Sequence, residues 1–490
     1  MTDHVCFLQA GVLFDNGGTV FYSVFIALWA VTLLEFWKRT NAALSHRWGC
    51  SDFEETEERP RPEFTAMAPM TMRNPVTGAE EPYFPRNQHV CVLLCCQVVV
   101  VLIFVFSIIL YRTITSFIIY KSSAISSRSL ASRLASITAS VLNLVVILLL
   151  SKLYVLLAKV LTRWEMHRTQ TRYEDMFILK VFVFQFVNFY SSPIYIAFFK
   201  GRFVGYPGKY QTLFGVHNED CGAGGCLIDL AQELLIIMVG KQMVSNIQEF
   251  LVVKLKAWWQ RRKTFNLKEF NKEEVELCQW EKDYQLQVCE GLFDEYLELV
   301  IQFGFITIFV AACPLAPLFA LFNNWIEIRL DANKFVKEYR RPVAERAQDI
   351  GIWFPILEFV THAAVLSNAF IIAFTSSFVP RLYYKYTRDA SMSGYINFTL
   401  THTHKDVRVC CRYHGFRNDK GEHNPEYFHL IAIRLGFIII FEHLVFLVGH
   451  AVNLGIPDVP QEVEMKIKRE HYMAKEVLAE NQVKVLVLMF

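Results

Sequence analysis

Apolar residues along this chain gather into blocks of roughly 20 to 28, long enough to cross a hydrocarbon core as helices, and the charged residues crowd between them. The blocks predict spans over 19–37, 90–111, 134–157, 176–199, 226–253, 296–313, 315–333, 350–378 and 427–453. Pro314 and Pro317 separate the sixth block from the seventh. One kinked helix there would hold about 38 apolar-rich residues, more than a single span uses, so the pattern predicts a tight hairpin. The expected fold class is all-α, a polytopic membrane protein with about nine transmembrane helices.

Composition agrees, with 53% hydrophobic and 20% charged residues and a mean hydropathy of +0.27. No nucleic-acid partner is expected. An odd number of spans puts the two termini on opposite sides, so one placement orients the whole chain. Lys38, Arg39, Arg47, Arg59, Arg61, Arg73 and Arg86 follow the first span, and Lys334, Lys337, Arg340, Arg341 and Arg346 follow the seventh. Cationic loops stay in the cytosol. The same parity puts the glycosylation sequon at Asn397 outside, together with Cys6, Cys221, Cys226, Cys410 and Cys411, where disulfides can form.

Five acids then change the picture. Glu249, Glu295, Glu298, Glu327 and Asp331 sit inside or at the edge of apolar stretches, where a lone carboxylate costs roughly 2.5 to 3.5 kcal/mol. Glu295 and Glu298 are spaced i, i+3 and Glu327 and Asp331 i, i+4, so each pair shares a helix face. With the orientation above, all five lie in one cytosolic-side layer. Hard oxygen ligands converging from several helices suit Ca²⁺, and two divalent ions balance five carboxylates better than one. Pairing with Arg329 or Lys334, or exposure at frayed helix ends, is the alternative. Histidines are dispersed and give no zinc spacing.

Other residues are candidates for moving parts. Gly240 interrupts the fifth block above Lys241, Asn246 and Glu249, and marks a bend or a close helix contact. As a hinge it lets the lower half of that helix swing away when the acids repel and return when an ion draws Glu249 inward. Lys152 and Lys180 fall within apolar helices, where they either line a path or snorkel. Lys200 and Arg202 follow the fourth span and can attract anions or lipid phosphates at an outer mouth, or anchor the helix.

The segments GRFVGYPGKY (201–210), CLIDLAQELLIIMVGKQ (226–242), GLFDEYLELVIQFGF (291–305), PLAPLFALFNNWIEIRLDANKF (314–335) and YRRPVAERAQDIGIW (339–353) resemble the anoctamins, a family of calcium-activated chloride channels and phospholipid scramblases. The resemblance implies that Glu249, Glu295, Glu298, Glu327 and Asp331 match the family's calcium-binding acids, with Asn246 as a further ligand. It also implies a second calcium site joining Glu35 and Asp458, a Cys6–Cys411 bridge alongside Cys221–Cys226, a groove lined by spans two to six, and a homodimer. Family members have a cytosolic amino-terminal domain and ten spans. This sequence opens just before what resembles the second, so that domain and the first span are expected to be missing. The implied division is an extracellular remnant (1–18), the transmembrane domain (19–453) and a cytosolic helical tail (454–490).

The wording of CEGLFDEYLELV and REHYMAKEVLAENQ resembles one paralogue in particular, nearer the scramblases than the dedicated channels. The function expected is therefore calcium-activated phospholipid scrambling in the plasma membrane, with chloride conduction as the alternative and lipids, Ca²⁺ and chloride as the partners. No enzyme is expected, because no His, Ser or Cys constellation accompanies the acids to supply a nucleophile or base. A non-transporting tether would need interaction modules, and the loops are too short to hold one.

Overall fold

The computed structural model describes residues 15–489 outside 74–77, 85–97, 112–129, 272–277, 403–411 and 419–421 and a number of shorter breaks, most of them within 101–109 and 203–224. The long helices are α1 (Gly17–Trp48), α2 (Leu130–Trp164), α3 (Gln170–Phe198), α4 (Cys226–Asn271), α5 (Phe293–Ile308), α6 (Ala316–Asn333), α7 (Trp353–Phe370), α8 (Pro425–Gly455) and α9 (Gln461–Met489). Strands among the described residues are short antiparallel pairs in the connections. The expected span at 90–111 falls largely outside the described residues.

Local chemistry sets the helix ends. Asn16 starts α1 by accepting from the Thr19 amide at 3.0 Å, and Gly49 stops it in the left-handed region at φ 62°, where glycine carries no Cβ penalty. Thr169 caps α3 through the Arg172 amide. Between α5 and α6 the chain turns over 309–315, with the Ala312 and Cys313 amides bonded back to the Phe309 carbonyl. This is the hairpin that the two prolines predict. Asn368 of α7, fully buried, holds the turn from the side: its Oδ1 accepts from the Ala311 amide and its Nδ2 donates to the Thr307 carbonyl. Buried backbone groups at a helix end must find such partners.

Five helices among the described residues are long and apolar enough to cross a membrane: α1, Val141–Trp164 of α2, α3, α7 with its continuation to Thr375, and α8. The three others that coincide with predicted spans depart from that pattern in an informative way. Asp229, Glu233 and Lys241 interrupt α4, α5 is only 16 residues long, and α6 carries Glu327, Arg329 and Asp331. Length and apolarity fail where acids gather.

The core lies where α5 packs on α7, with α3, α4 and α1 around it. Ile301, Phe305, Phe309, Val360 and Ala364 are buried there, and Tyr190 of α3 packs edge-on against Phe305 at 4.9 Å. Two further helices flank this centre, α2 along α3 and α8 along α1. By contrast α9, past Pro460, is exposed along most of its length.

Candidate metal centre

Glu295 stands in the first turn of α5, where the helix dipole favours a carboxylate, and Glu298 follows one turn later. Glu327 and Asp331 project from one face of α6 toward it. One carboxylate oxygen from each of Glu295, Glu327 and Asp331 lies within 4.8 Å of the other two. Two oxygens on opposite sides of one Ca²⁺ stand about 4.6 to 5.2 Å apart, twice the usual ligand distance. Hence all three can touch a single ion. Asp331 Oδ1 is fully buried and is met by the Lys334 ammonium at 2.9 Å, the pairing that the sequence left open as the alternative. A buried carboxylate oxygen is costly unless a cation meets it, and here the cation in contact is an ammonium.

An amide network surrounds the acids. Glu327, only 7% exposed, accepts from Asn323 Nδ2 at 2.8 Å. Asn323 also donates to Gln302 at 3.1 Å and accepts from Asn246 at 3.4 Å, while Gln302 reaches Asn324 at 2.6 Å. Gln242 of α4 donates to Glu298 at 2.8 Å. These contacts join α4, α5 and α6 around a cavity of about 170 Å³ lined by Lys241, Gln242, Asn246, Gln302 and Asn323 among apolar neighbours. The amides Gln242, Gln302, Asn323 and Asn324 belong to the candidate site and were not singled out in the sequence. Their only signal is helical spacing, since Gln302 follows Glu298, and Asn323 precedes Glu327, by four residues.

A family model described as "Anoctamin: Calcium-activated chloride channel" matches residues 4–470. The chain belongs to the anoctamin family. It is 61% identical to anoctamin-7 of Homo sapiens over 487 residues, covering 97% of this chain and 52% of that protein. Against anoctamin-7 of Mus musculus it is 61% identical over 485 residues, covering 97% and 56%. Anoctamin-4 of Mus musculus is more distant, 42% identical over 525 residues, covering 98% and 55%. The chain thus spans about half the length of the curated relatives it matches.

Other residues expected to matter in an anoctamin are placed as follows. Glu249 lies on α4 three residues beyond Asn246, with its side chain outside the described residues. Lys241 sits 5.3 Å over the Phe189 ring. Gly240 falls within an unbroken α4, and a Cβ there would meet Leu144 Cδ2 of α2 at 2.6 Å. Glu35 gives one oxygen to Lys38 at 3.0 Å, and its other oxygen is buried with no hydrogen-bond partner. Asp458 is exposed beyond the end of α8, which packs on α1. Cys221 and Cys226 are joined by a disulfide with Cα atoms 5.0 Å apart. Cys6 and Cys411 lie outside the described residues. Asn397 is exposed on the short helix Tyr395–Thr399.

The four cations proposed for a permeation path divide. Lys152 is exposed on α2. Lys200 pairs with Asp229 at 2.8 Å, and Arg202 donates to the Phe374 carbonyl. Lys180, 3% exposed, is bonded to Glu165 at 2.6 Å in the turn between α2 and α3, where His167 reaches the same carboxylate oxygen at 2.7 Å. A second unforeseen acid is Glu233 of α4, which accepts from Asn143 of α2 at 3.1 Å and from Ser192 of α3, tying three helices together.

Glu165 yields a pH prediction. Burial alone would raise its carboxyl pKa, but hydrogen bonds from His167 and Lys180 outweigh burial and hold it below its ordinary value of 4.5. A carboxylate whose pKa is lowered by folding contributes stability that is present above the unfolded pKa and lost as pH falls through the folded one. Wild type is therefore expected to melt higher than Glu165→Gln at neutral pH, with the gap closing below about pH 4.5. A constant gap down to pH 3 would show that the difference does not come from the ionised carboxylate. Thermal melts in detergent at stepped pH provide the check.

Proposed function

We propose that this chain carries out calcium-activated phospholipid scrambling in the plasma membrane as a homodimer, with about two Ca²⁺ per subunit held by Glu249, Glu295, Glu298, Glu327, Asp331 and Asn246. The observation that carries the calcium part is the triad of Glu295, Glu327 and Asp331, whose carboxylate oxygens converge within 4.8 Å. Bound calcium supplies the positive charge that lets these carboxylates share one layer. The chain supplies the rest: α5 and α6 are a rigid hairpin, and α4 meets them through the Gln242–Glu298 and Asn246–Asn323 hydrogen bonds. Helix α4 is then the wall that moves.

Lipid as the cargo is supported by the surroundings of α2 and α4. Leu149, Leu153 and Leu156 on α2, and Met243 and Ile247 on α4, are exposed apolar residues suited to acyl chains. Behind them Asn143, Gln185, Asn188 and Glu233 are buried polar side chains at membrane depth, where polarity usually marks a pathway. Chloride conduction is kept as a second reading by the family description itself. Reconstitution into liposomes holding fluorescent lipids and a chloride gradient, with and without calcium, separates the two. Calcium-dependent exchange of lipid between leaflets is expected. Chloride flux without lipid movement would replace this reading with the channel, and neither flux would overturn both.

Gly240 adds a gating prediction. A methyl at Gly240 meets the flexible tip of Leu144, so Gly240→Ala presses α4 away from α2 at modest cost. The variant is expected to respond at lower calcium than wild type, and adding Leu144→Ala should restore the original dose-response curve. A shift that survives the second substitution would make Gly240 a hinge instead, acting through the backbone of α4.

A further inference from the structure

We propose that Lys334 is a built-in counter-ion of the acidic centre: its ammonium must leave the carboxylates before calcium can take them, and so sets how much calcium the protein needs. The inference rests on the calcium reading above and adds its regulator. Lys334 is the first residue of a π-helical turn (Lys334–Glu338) that continues α6, and it is only 5% exposed. Its Nζ donates to Glu295 Oε1 and stands 2.9 Å from Asp331 Oδ1, so it bridges two of the three acids that converge. Arg329, the other base on this helix, lies over the Trp325 ring at 5.4 Å. Its charge is turned to the aromatic face and leaves the bridging role to Lys334.

An ammonium and a calcium ion cannot share that place. A Ca²⁺ touching Glu295 and Asp331 would stand about 2.3 to 2.6 Å from the same oxygens that Nζ now contacts, and two cations crowded onto one pair of oxygens repel strongly. The ammonium can withdraw, because it is carried on a flexible four-carbon stem rooted in a π turn, a wide turn that recurs at functional positions. The Phe335 ring, 5.3 Å from Nζ, gives it a second favourable contact. In the calcium-free protein the lysine thus holds the acids together, and in the calcium-bound protein it is a competitor that has lost.

The test uses the full chain purified in detergent, with calcium binding measured by titration calorimetry and melting temperature measured in EDTA and in calcium. Lys334→Met keeps the stem and removes the charge. Calcium affinity is expected to rise by about tenfold or more, while the melting temperature in EDTA falls and the gain on adding calcium exceeds that of wild type. Lys334→Arg keeps the charge and should bind calcium much as wild type does. Lys334→Met that folds only in the presence of calcium supports the proposal as well, since Glu295 and Asp331 have then lost the ammonium that bridges them. Unchanged affinity in Lys334→Met would overturn it, as would a variant that fails to fold even in millimolar calcium, which would make the bridge a permanent structural tie. Wild type that binds no calcium would remove the calcium reading itself, a failure visible before any variant is compared.

Discussion

Glu327→Gln is expected to raise the calcium needed for half-maximal activity by roughly tenfold or more. The substitution keeps the shape of the side chain and an oxygen for Asn323, which now donates to Glu327 at 2.8 Å. What it removes is one of three charges that converge within 4.8 Å, in a buried place where a carboxylate–cation contact is poorly screened. A second effect has the opposite sign. Without calcium, Lys334 is placed to neutralise Glu295 and Asp331, and Glu327 adds like charge beside them; the variant should therefore melt at a higher temperature than wild type in EDTA. Glu298→Gln should also shift activation to higher calcium, but less, because Glu298 stands outside the tight triad and is held by Gln242. Unchanged calcium dependence in both variants would sink the site. A change at Glu298 alone would move its centre toward α4.

Much of this arrangement was legible in the residues. The hairpin between α5 and α6 follows from two prolines in an apolar run too long for one span, and the acids declare themselves because charge is costly in apolar helices. The partners of those acids were harder to read. Lys334 was named only as an alternative partner beside Arg329, because a cation at the end of a span also looks like an ordinary cytosolic flank; its contacts with Glu295 and Asp331 decide between them. The network amides read in sequence like any polar interruption of a membrane helix. Lys180 looked like a candidate for the path because the partner that engages it, Glu165, sits fifteen residues back across a turn. Helix count was limited for a related reason: α4 and α6 fail the test of apolarity at the residues that give them their chemistry.

Glycines were the least legible of all, because a glycine in a helix does not say what approaches it. Gly304 in α5 attracted no notice in the sequence, yet a Cβ there would stand 2.0 Å from the Tyr190 hydroxyl oxygen and 2.8 Å from its Cζ. Tyr190, 1% exposed, is held from several directions. Its hydroxyl donates to the Ile301 carbonyl at 2.8 Å, and its ring packs edge-on against Phe186 at 4.8 Å and Phe305 at 4.9 Å. Gly304→Ala must therefore displace the tyrosine or separate α3 from α5. Overpacking of that kind costs about 1 to 3 kcal/mol, and losing a buried hydrogen bond adds about 1 to 3 kcal/mol. The expected destabilisation is about 3 kcal/mol or more, since both terms act at once, and it should appear as a clearly lower melting temperature in detergent. Tyr190→Phe in the same chain removes the closest atom and should recover part of the loss, although Cζ still crowds the new methyl. The loss should persist at saturating calcium, because Gly304 lies more than one and a half turns beyond Glu298 along α5, against the aromatic ring of Tyr190. If Gly304→Ala melts like wild type, Tyr190 is not seated against α5, and the packing that positions Glu295 and Glu298 beside α6 must be held by other contacts.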